Sequence, residues 1–178
     1  RNIAEPGKPV MDPSIWTGKE LESRSDWIVP LDQTILDDLK TMASSVRERI
    51  GDDPSKLLDL TKDDFDIGSF AGPLGTVRQQ LKDGLGLAVI RGLPEDDWDR
   101  LDLMIAYWAM GRHLGKALSN NGEGDMIGHV LDAGKDQENP NHRGYQTQAT
   151  MDYHLDQCDV VCLICLQTSK SGGLSKLA

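Results

Sequence analysis

An imidazole and a carboxylate stand two residues apart in the segment His154-Leu155-Asp156. Residues i and i+2 of a β-strand point to the same face, so these two side chains could converge on one metal ion. They would be two of the three ligands in the two-His-one-carboxylate arrangement that holds non-haem Fe(II) and leaves coordination positions open. The structural alternative is a histidine at a strand end beside a surface aspartate, because chance gives such a tripeptide in about 40% of chains like this one.

Three other patterns carry weaker signals. Gly84-Leu85-Gly86 precedes a predicted strand instead of following it and lacks the third glycine, so we reject a dinucleotide-binding loop. Cys162-Leu163-Ile164-Cys165 lies in an apolar run, where the two thiols would point to opposite faces of a strand; this favours buried core cysteines over half of a zinc site. We interpret His113, His129 and His142 as structural or surface residues.

The composition excludes several classes of protein. The chain has 178 residues, with 19 Lys and Arg against 29 Asp and Glu, and a net charge of −10. This charge argues against a nucleic-acid binder and against a polybasic membrane-surface protein. The longest apolar run, residues 160–166, is far shorter than a membrane helix. Three cysteines do not make a secreted disulfide framework, so we expect a cytoplasmic protein.

Apolar spacing predicts the elements that position these groups. A helix should begin after Asp32 and end at Gly51, because apolar residues between them recur at steps of three and four. Further helices are expected over 73–83 and 95–114. Strands are expected over 85–91, 126–131, 145–153 and 159–167. Helices come first and strands later, which favours an α+β fold over a regular βαβ alternation.

The order of pieces from residue 72 to residue 178 resembles one family. The matching pieces are the run from Gly84 to Pro94, Gly111 and Gly115 around the end of a predicted helix, His154 with Asp156, and Gly172-Gly173-Leu174-Ser175. Together they resemble the taurine dioxygenase/clavaminate synthase-like Fe(II)/2-oxoglutarate-dependent oxygenases. The resemblance implies N-terminal helices packed on a double-stranded β-helix (jelly roll). Residues 1–71 would form an extended lead-in and a helical region, and residues 72–178 the first part of the oxygenase domain.

The resemblance also implies roles for individual residues. His154 and Asp156 match the first two metal ligands, and Ser175 matches the hydroxyl that binds a carboxylate of 2-oxoglutarate. Asn120 and Asn121 fall in the segment that lines the mouth of the active site.

Asp152 is two residues before His154, which places it on the same face of an extended chain as the two ligands, and it is expected to hydrogen-bond His154 from outside the metal shell.

The implied protein is an Fe(II)/2-oxoglutarate-dependent dioxygenase. It would couple decarboxylation of 2-oxoglutarate to hydroxylation, or a related C–H oxidation, of a small-molecule substrate, with O₂ as the other reactant. No nucleic-acid or membrane partner is expected, and a homo-oligomer is compatible with this interpretation.

The sequence departs from the family pattern in two places. The family's distal His ligand, and the Arg that pairs with 2-oxoglutarate, lie well beyond the Gly-Gly turn, whereas no His or Arg follows Gly173 here. Leu155 also stands where a small polar residue is common. We therefore expect an incomplete jelly roll and little turnover from this stretch alone. Two alternatives stay open: a non-catalytic jelly-roll binding domain that has lost the distal ligand, and a partial chain completed by another subunit.

Overall fold

A computed structural model describes residues 3, 5–131, 134 and 150–177. The chain divides into two compact units, one made of Arg1–Gly115 with Cys162–Ala178, the other of Lys116–Val161. The described helices and strands all lie in the first unit. In chain order they are α1 (Gly18–Glu22), β1 (Ile28–Pro30), α2 (Gln33–Ile50), three 3₁₀ turns (Pro54–Asp59, Lys62–Asp64 and Gly68–Phe70), α3 (Ala71–Asp83), β2 (Val89–Arg91) and α4 (Arg100–Leu114).

Helix α2 forms where the apolar spacing predicts it. The Asp32 carboxylate caps its first turn by accepting a hydrogen bond from the Ile35 amide at 3.0 Å. Gly51 ends the helix with φ of 66°, a conformation that costs glycine little. The buried face packs against α4 and the 3₁₀ turn Gly68–Phe70. That face consists of Ile35, Leu39, Met42, Ala43, Val46 and Ile50.

Helix α4 is the most deeply buried helix of the first unit. It begins at Arg100, five residues later than predicted, because the amides of Asp97 and Trp98 bond back to the Pro94 carbonyl in a separate turn. Asp99 then caps the helix by accepting from the Leu101 amide at 2.9 Å. Its buried apolar residues cover most of the helix circumference, so α4 is a core element and not a surface one. They are Leu103, Ile105, Ala106, Trp108, Ala109 and Met110.

Strands β1 and β2 pair in parallel, with Val29 opposite Ile90. The lead-in is therefore not only extended surface chain, since it contributes α1 and a paired strand. The indole of Trp16 fixes it further by donating to the Leu85 carbonyl at 3.0 Å. Of the strand predicted over 85–91, only the last three residues are a strand.

The strands predicted over 126–131 and 159–167 are not formed, and neither is the described end of 145–153, residues 150–153. Residues 145–149 lie outside the described part of the chain. Extended backbone becomes a strand only when a neighbouring strand accepts and supplies its hydrogen bonds. The described fold is thus helices with a two-stranded parallel sheet, consistent with part of a domain, and the jelly roll stays an expectation.

Cys158, Cys162 and Cys165 are exposed thiols, which corrects the prediction that Cys162 and Cys165 lie in a core. Their segment is apolar in sequence yet largely exposed, with Leu163 at 81%. Within the part of the chain that the structure describes, no helix is long and apolar enough to cross a membrane.

Candidate functional site

His154 and Asp156 lie in the second unit, on an irregular segment where both side chains are exposed. The Nδ1 atom of His154 is 2.8 Å from the main-chain oxygen of Asp152. A carbonyl oxygen only accepts, so Nδ1 carries the proton and donates it. In a neutral imidazole this leaves the lone pair on Nε2, and the ring has the tautomer and support that metal-binding histidines commonly have.

Asp152 therefore contacts His154 through its main chain. The expected bond from the Asp152 carboxylate is a different interaction and stays a prediction. Because the carbonyl is present whatever the side chain, the observed support for the imidazole does not depend on the residue type at this position.

The donor atoms fit Fe(II) in kind but not in number. An imidazole nitrogen and a carboxylate oxygen are both ligands that Fe(II) accepts. Among the residues that the structure describes, however, no three His, Cys, Asp or Glu side chains are grouped so that they could hold a metal ion. His154 and Asp156 are therefore two candidate ligands of an incomplete set.

Asn120 and Asn121 build a tight loop in the second unit. The Asn121 side-chain oxygen accepts from the amides of Glu123 and Asp125 at 3.1 and 3.0 Å, and its Nδ2 donates to the Asp125 carboxylate at 2.7 Å. The Asn120 Nδ2 donates to the Met126 carbonyl at 2.8 Å. Both amides are thus engaged in shaping the loop. Their place at an active-site mouth stays a prediction.

Ser175 lies in the first unit, exposed, after a turn that requires glycine. Gly172 and Gly173 have φ of 73° and 66°, which side-chain-bearing residues rarely adopt. The Ser169 hydroxyl donates to the Gly172 carbonyl at 2.9 Å, and a Cβ on Gly173 would lie 2.7 Å from that hydroxyl. The turn thus sets the direction in which the chain runs on to Ser175.

Tyr107 makes a contact that the sequence does not reveal. Its hydroxyl donates to the main-chain oxygen of Cys162 at 2.6 Å, within the first unit. Burial, followed by the nearby Cys162 thiol, raises the pKa of Tyr107 to about 12, so the phenol stays a protonated donor near neutral pH. In the sequence, Tyr107 is one more aromatic residue in an apolar helix, with nothing to distinguish it from a packing residue.

Asp102 is the second feature that the sequence pattern missed. It is only 5% exposed, and its carboxylate lies 2.5 Å from Lys40 Nζ and 3.2 Å from Arg47 Nη1. Arg47 also contacts Asp99 at 3.0 Å, and Lys40 lies 5.0 Å from the centroid of the Trp98 ring. The available signal was an aspartate among the apolar residues of α4 and two cations seven residues apart on α2. Lys40 and Arg47, the cations that line the shallow groove beside this cluster, are already paired with carboxylates. The cluster is therefore structural.

Comparison with known proteins identifies the family. The sequence pattern described as "Taurine catabolism dioxygenase TauD, TfdA family" matches residues 53–178. The chain is 31% identical over 167 residues to FR-33289 synthase of Streptomyces rubellomurinus, covering 93% of this chain and 48% of that protein. It is 21% identical over 174 residues to the taurine hydroxylase-like protein SAT17 of Stachybotrys chartarum, covering 94% and 44%. The chain thus spans slightly less than half the length of each relative. Because the family match covers residues 53–178, the chain belongs to the taurine catabolism dioxygenase TauD, TfdA family.

Proposed function

We propose that this chain is part of an Fe(II)/2-oxoglutarate-dependent dioxygenase acting on a small molecule. The observation that supports this proposal is the family match. The matched residues, 53–178, contain an imidazole and a carboxylate two positions apart. When bound, Fe(II) with 2-oxoglutarate and O₂ supplies the oxidation of a C–H bond. Hydroxylation is the outcome we favour, since one relative is named as hydroxylase-like.

The chain's own residues would act by binding and orienting. His154 would bind the metal through Nε2, because Nδ1 is engaged with the Asp152 carbonyl. Asp156 would bind through its exposed carboxylate. The Ser175 hydroxyl would donate to a carboxylate of 2-oxoglutarate. These roles match donor to acceptor type: a neutral nitrogen and an anion for the cation, and a hydroxyl for the anion.

The proposal also covers the cellular location of the protein and its binding partners. The net charge of −10 supports a small-molecule enzyme over a nucleic-acid binder, since nucleic-acid affinity comes mainly from neutralising cations. We propose a cytoplasmic enzyme, and a homo-oligomer is compatible with it.

Anaerobic titration tests the proposal. The protein, as expressed from its own gene, is titrated with Fe(II) and 2-oxoglutarate and followed by visible absorption. We expect a metal-to-ligand charge-transfer band that His154→Ala abolishes. His129→Ala is the matched control because His129 is another exposed histidine of the second unit, and it should keep the band.

Two results would contradict the proposal. No band in the wild-type protein would favour the non-catalytic binding domain, and a band that survives His154→Ala would remove His154 from the site. Succinate release by residues 1–178 only after a second chain is added would favour completion by another subunit. Robust release by residues 1–178 alone would refute our expectation of little turnover from this stretch.

A further inference from the structure

The chain segment that carries the candidate ligands, residues 116–161, begins just after helix α4 and ends just before a residue that α4 holds by a hydrogen bond. The chain leaves the first unit after Gly115, the residue that follows α4, and re-enters it at Cys162. At the re-entry point, the Tyr107 hydroxyl of the same helix donates to the Cys162 carbonyl at 2.6 Å. His154 and Asp156 lie on the stretch between these two points.

We propose that Tyr107 is a positioning residue for the candidate metal centre, because it fixes the main chain at Cys162, six residues after Asp156. This inference rests on the proposed function. It assigns to Tyr107 no contact with metal or substrate; its effect passes through the backbone that it holds.

Side-chain packing does little to order this stretch. All residues from 150 to 163 are exposed, including Leu155 at 96% and Tyr153 at 69%. A segment that packing leaves loose must lose conformational freedom when its side chains bind a metal, and that loss weakens binding. A fixed point six residues from a ligand shortens the free chain and removes part of this cost beforehand.

Neither partner of this hydrogen bond changes its protonation state in the pH range of an assay. Its acceptor is a main-chain carbonyl, which is present whatever side chain stands at position 162. Its donor stays protonated at neutral and mildly alkaline pH, because burial raises the pKa of Tyr107 to about 12. The Tyr107 ring is only partly buried, and α4 has its own apolar core contacts, so removal of the hydroxyl should leave the helix folded.

The first test measures the hydrogen bond from Tyr107 to the Cys162 carbonyl, called the tether from here on, in the absence of metal. Amide hydrogen exchange over residues 158–166 is compared in the wild type, Tyr107→Phe and Ser44→Ala. The control also loses a hydroxyl-to-carbonyl bond, from Ser44 to the Lys40 carbonyl at 2.9 Å, but on α2. Tyr107→Phe should exchange at least about threefold faster in this window, as expected for the loss of one hydrogen bond, while Ser44→Ala exchanges like the wild type.

The second test links the tether to the metal centre. In the anaerobic titration, Tyr107→Phe should raise the apparent Kd for Fe(II) with 2-oxoglutarate about three- to tenfold, with the charge-transfer band unchanged in position. Ser44→Ala should bind like the wild type. Faster exchange in the window together with weaker binding supports the inference.

Three outcomes overturn it. Unchanged exchange in Tyr107→Phe would show that no tether exists, and uniformly faster exchange throughout the first unit would show a merely structural role. Faster local exchange with unchanged Kd would remove the positioning role while leaving the proposed function intact. Absence of the charge-transfer band in the wild type would instead contradict the proposed function, and the positioning role of Tyr107 would then be contradicted as well.

Discussion

The Lys40 ammonium lies 2.5 Å from the carboxylate of Asp102, and this ion pair joins α2 to α4. The two partners differ in environment, since the Lys40 side chain is 41% exposed and that of Asp102 only 8%. The aspartate therefore depends on its partners more than they depend on it, because a buried charge without a counter-ion is costly.

Asp102→Ala should destabilise the first unit by about 2 kcal/mol, less than a fully buried pair costs, because the cations left behind reach water. Asp26→Ala is the matched control: its pair with Arg24 is exposed on both sides, so its loss should lower the stability much less than Asp102→Ala does. Urea unfolding followed by circular dichroism measures both changes. Equal changes in the two variants would mean that the buried position of Asp102 carries no special weight.

The Asp64 carboxylate should make stability depend on pH at the acid end. Hydrogen bonds from Arg49, then from the Thr61 amide and hydroxyl, lower its pKa to about 2. A depressed carboxylate pKa stabilises the fold above the unfolded value of about 3.9, and this contribution is lost as pH falls through the folded value. The Tm of the wild type should thus exceed that of Asp64→Asn at pH 6, with the gap closing between about pH 4 and pH 2.

Arg49→Gln separates the causes of this effect. It removes the largest contribution to the lowered pKa of Asp64 and leaves the Thr61 bonds in place. At pH 6, the difference in Tm between the single variant Arg49→Gln and the double variant Arg49→Gln/Asp64→Asn should therefore be small. It should be smaller than the difference in Tm between the wild type and Asp64→Asn. A gap that stays constant across the whole pH range would contradict the assignment.

Gly173→Ala should weaken 2-oxoglutarate binding through the turn before Ser175. The substitution places a Cβ at φ of 66° and 2.7 Å from the Ser169 hydroxyl, so the turn must shift. We expect the apparent Kd for 2-oxoglutarate to rise severalfold, with Fe(II) affinity little changed. Gly75→Ala is the control, since Gly75 lies in α3 with nothing within 4 Å of an added Cβ. Loss of Fe(II) affinity in Gly173→Ala would contradict a role confined to the cosubstrate.

Asn121→Ala should open the loop that Asn121 holds closed. The substitution removes the acceptor for the amides of Glu123 and Asp125, and we expect these two amides to exchange hydrogen faster. Asn121→Asp keeps the accepting oxygen but places a second carboxylate where Nδ2 donates to Asp125, so it should restore protection only in part. Full protection in Asn121→Ala would show that the backbone alone maintains the loop.

Local rules predicted those elements whose stability is local. Helix α2 has its apolar period, its N-cap at Asp32 and its stop at Gly51 within one stretch of sequence, and the structure confirms both ends. The start of α4 was predicted too early because an acidic, polar run after Pro94 suits a first helical turn as well as it suits a separate turn.

Pairing across the sequence was beyond these rules. Residues 159–167 have strand-like composition, but composition supplies no partner strand, and the described segment is not one. The Asp102 cluster and the bond from Tyr107 to Cys162 join positions more than fifty residues apart, which no short motif encodes. The spacing of His154 and Asp156 identified two candidate ligands; it carried no information on a third.

The register of β1 on β2 has a consequence for where this domain begins. The family match starts at residue 53, yet Val29 pairs with Ile90 across that boundary, and α2 lies entirely before it. A polypeptide cut at residue 53 would expose one edge of β2 and the apolar face of α4 that α2 covers. The stretch that the family pattern matches is therefore narrower than the unit that packs together, and a cut that respects the fold falls before residue 28.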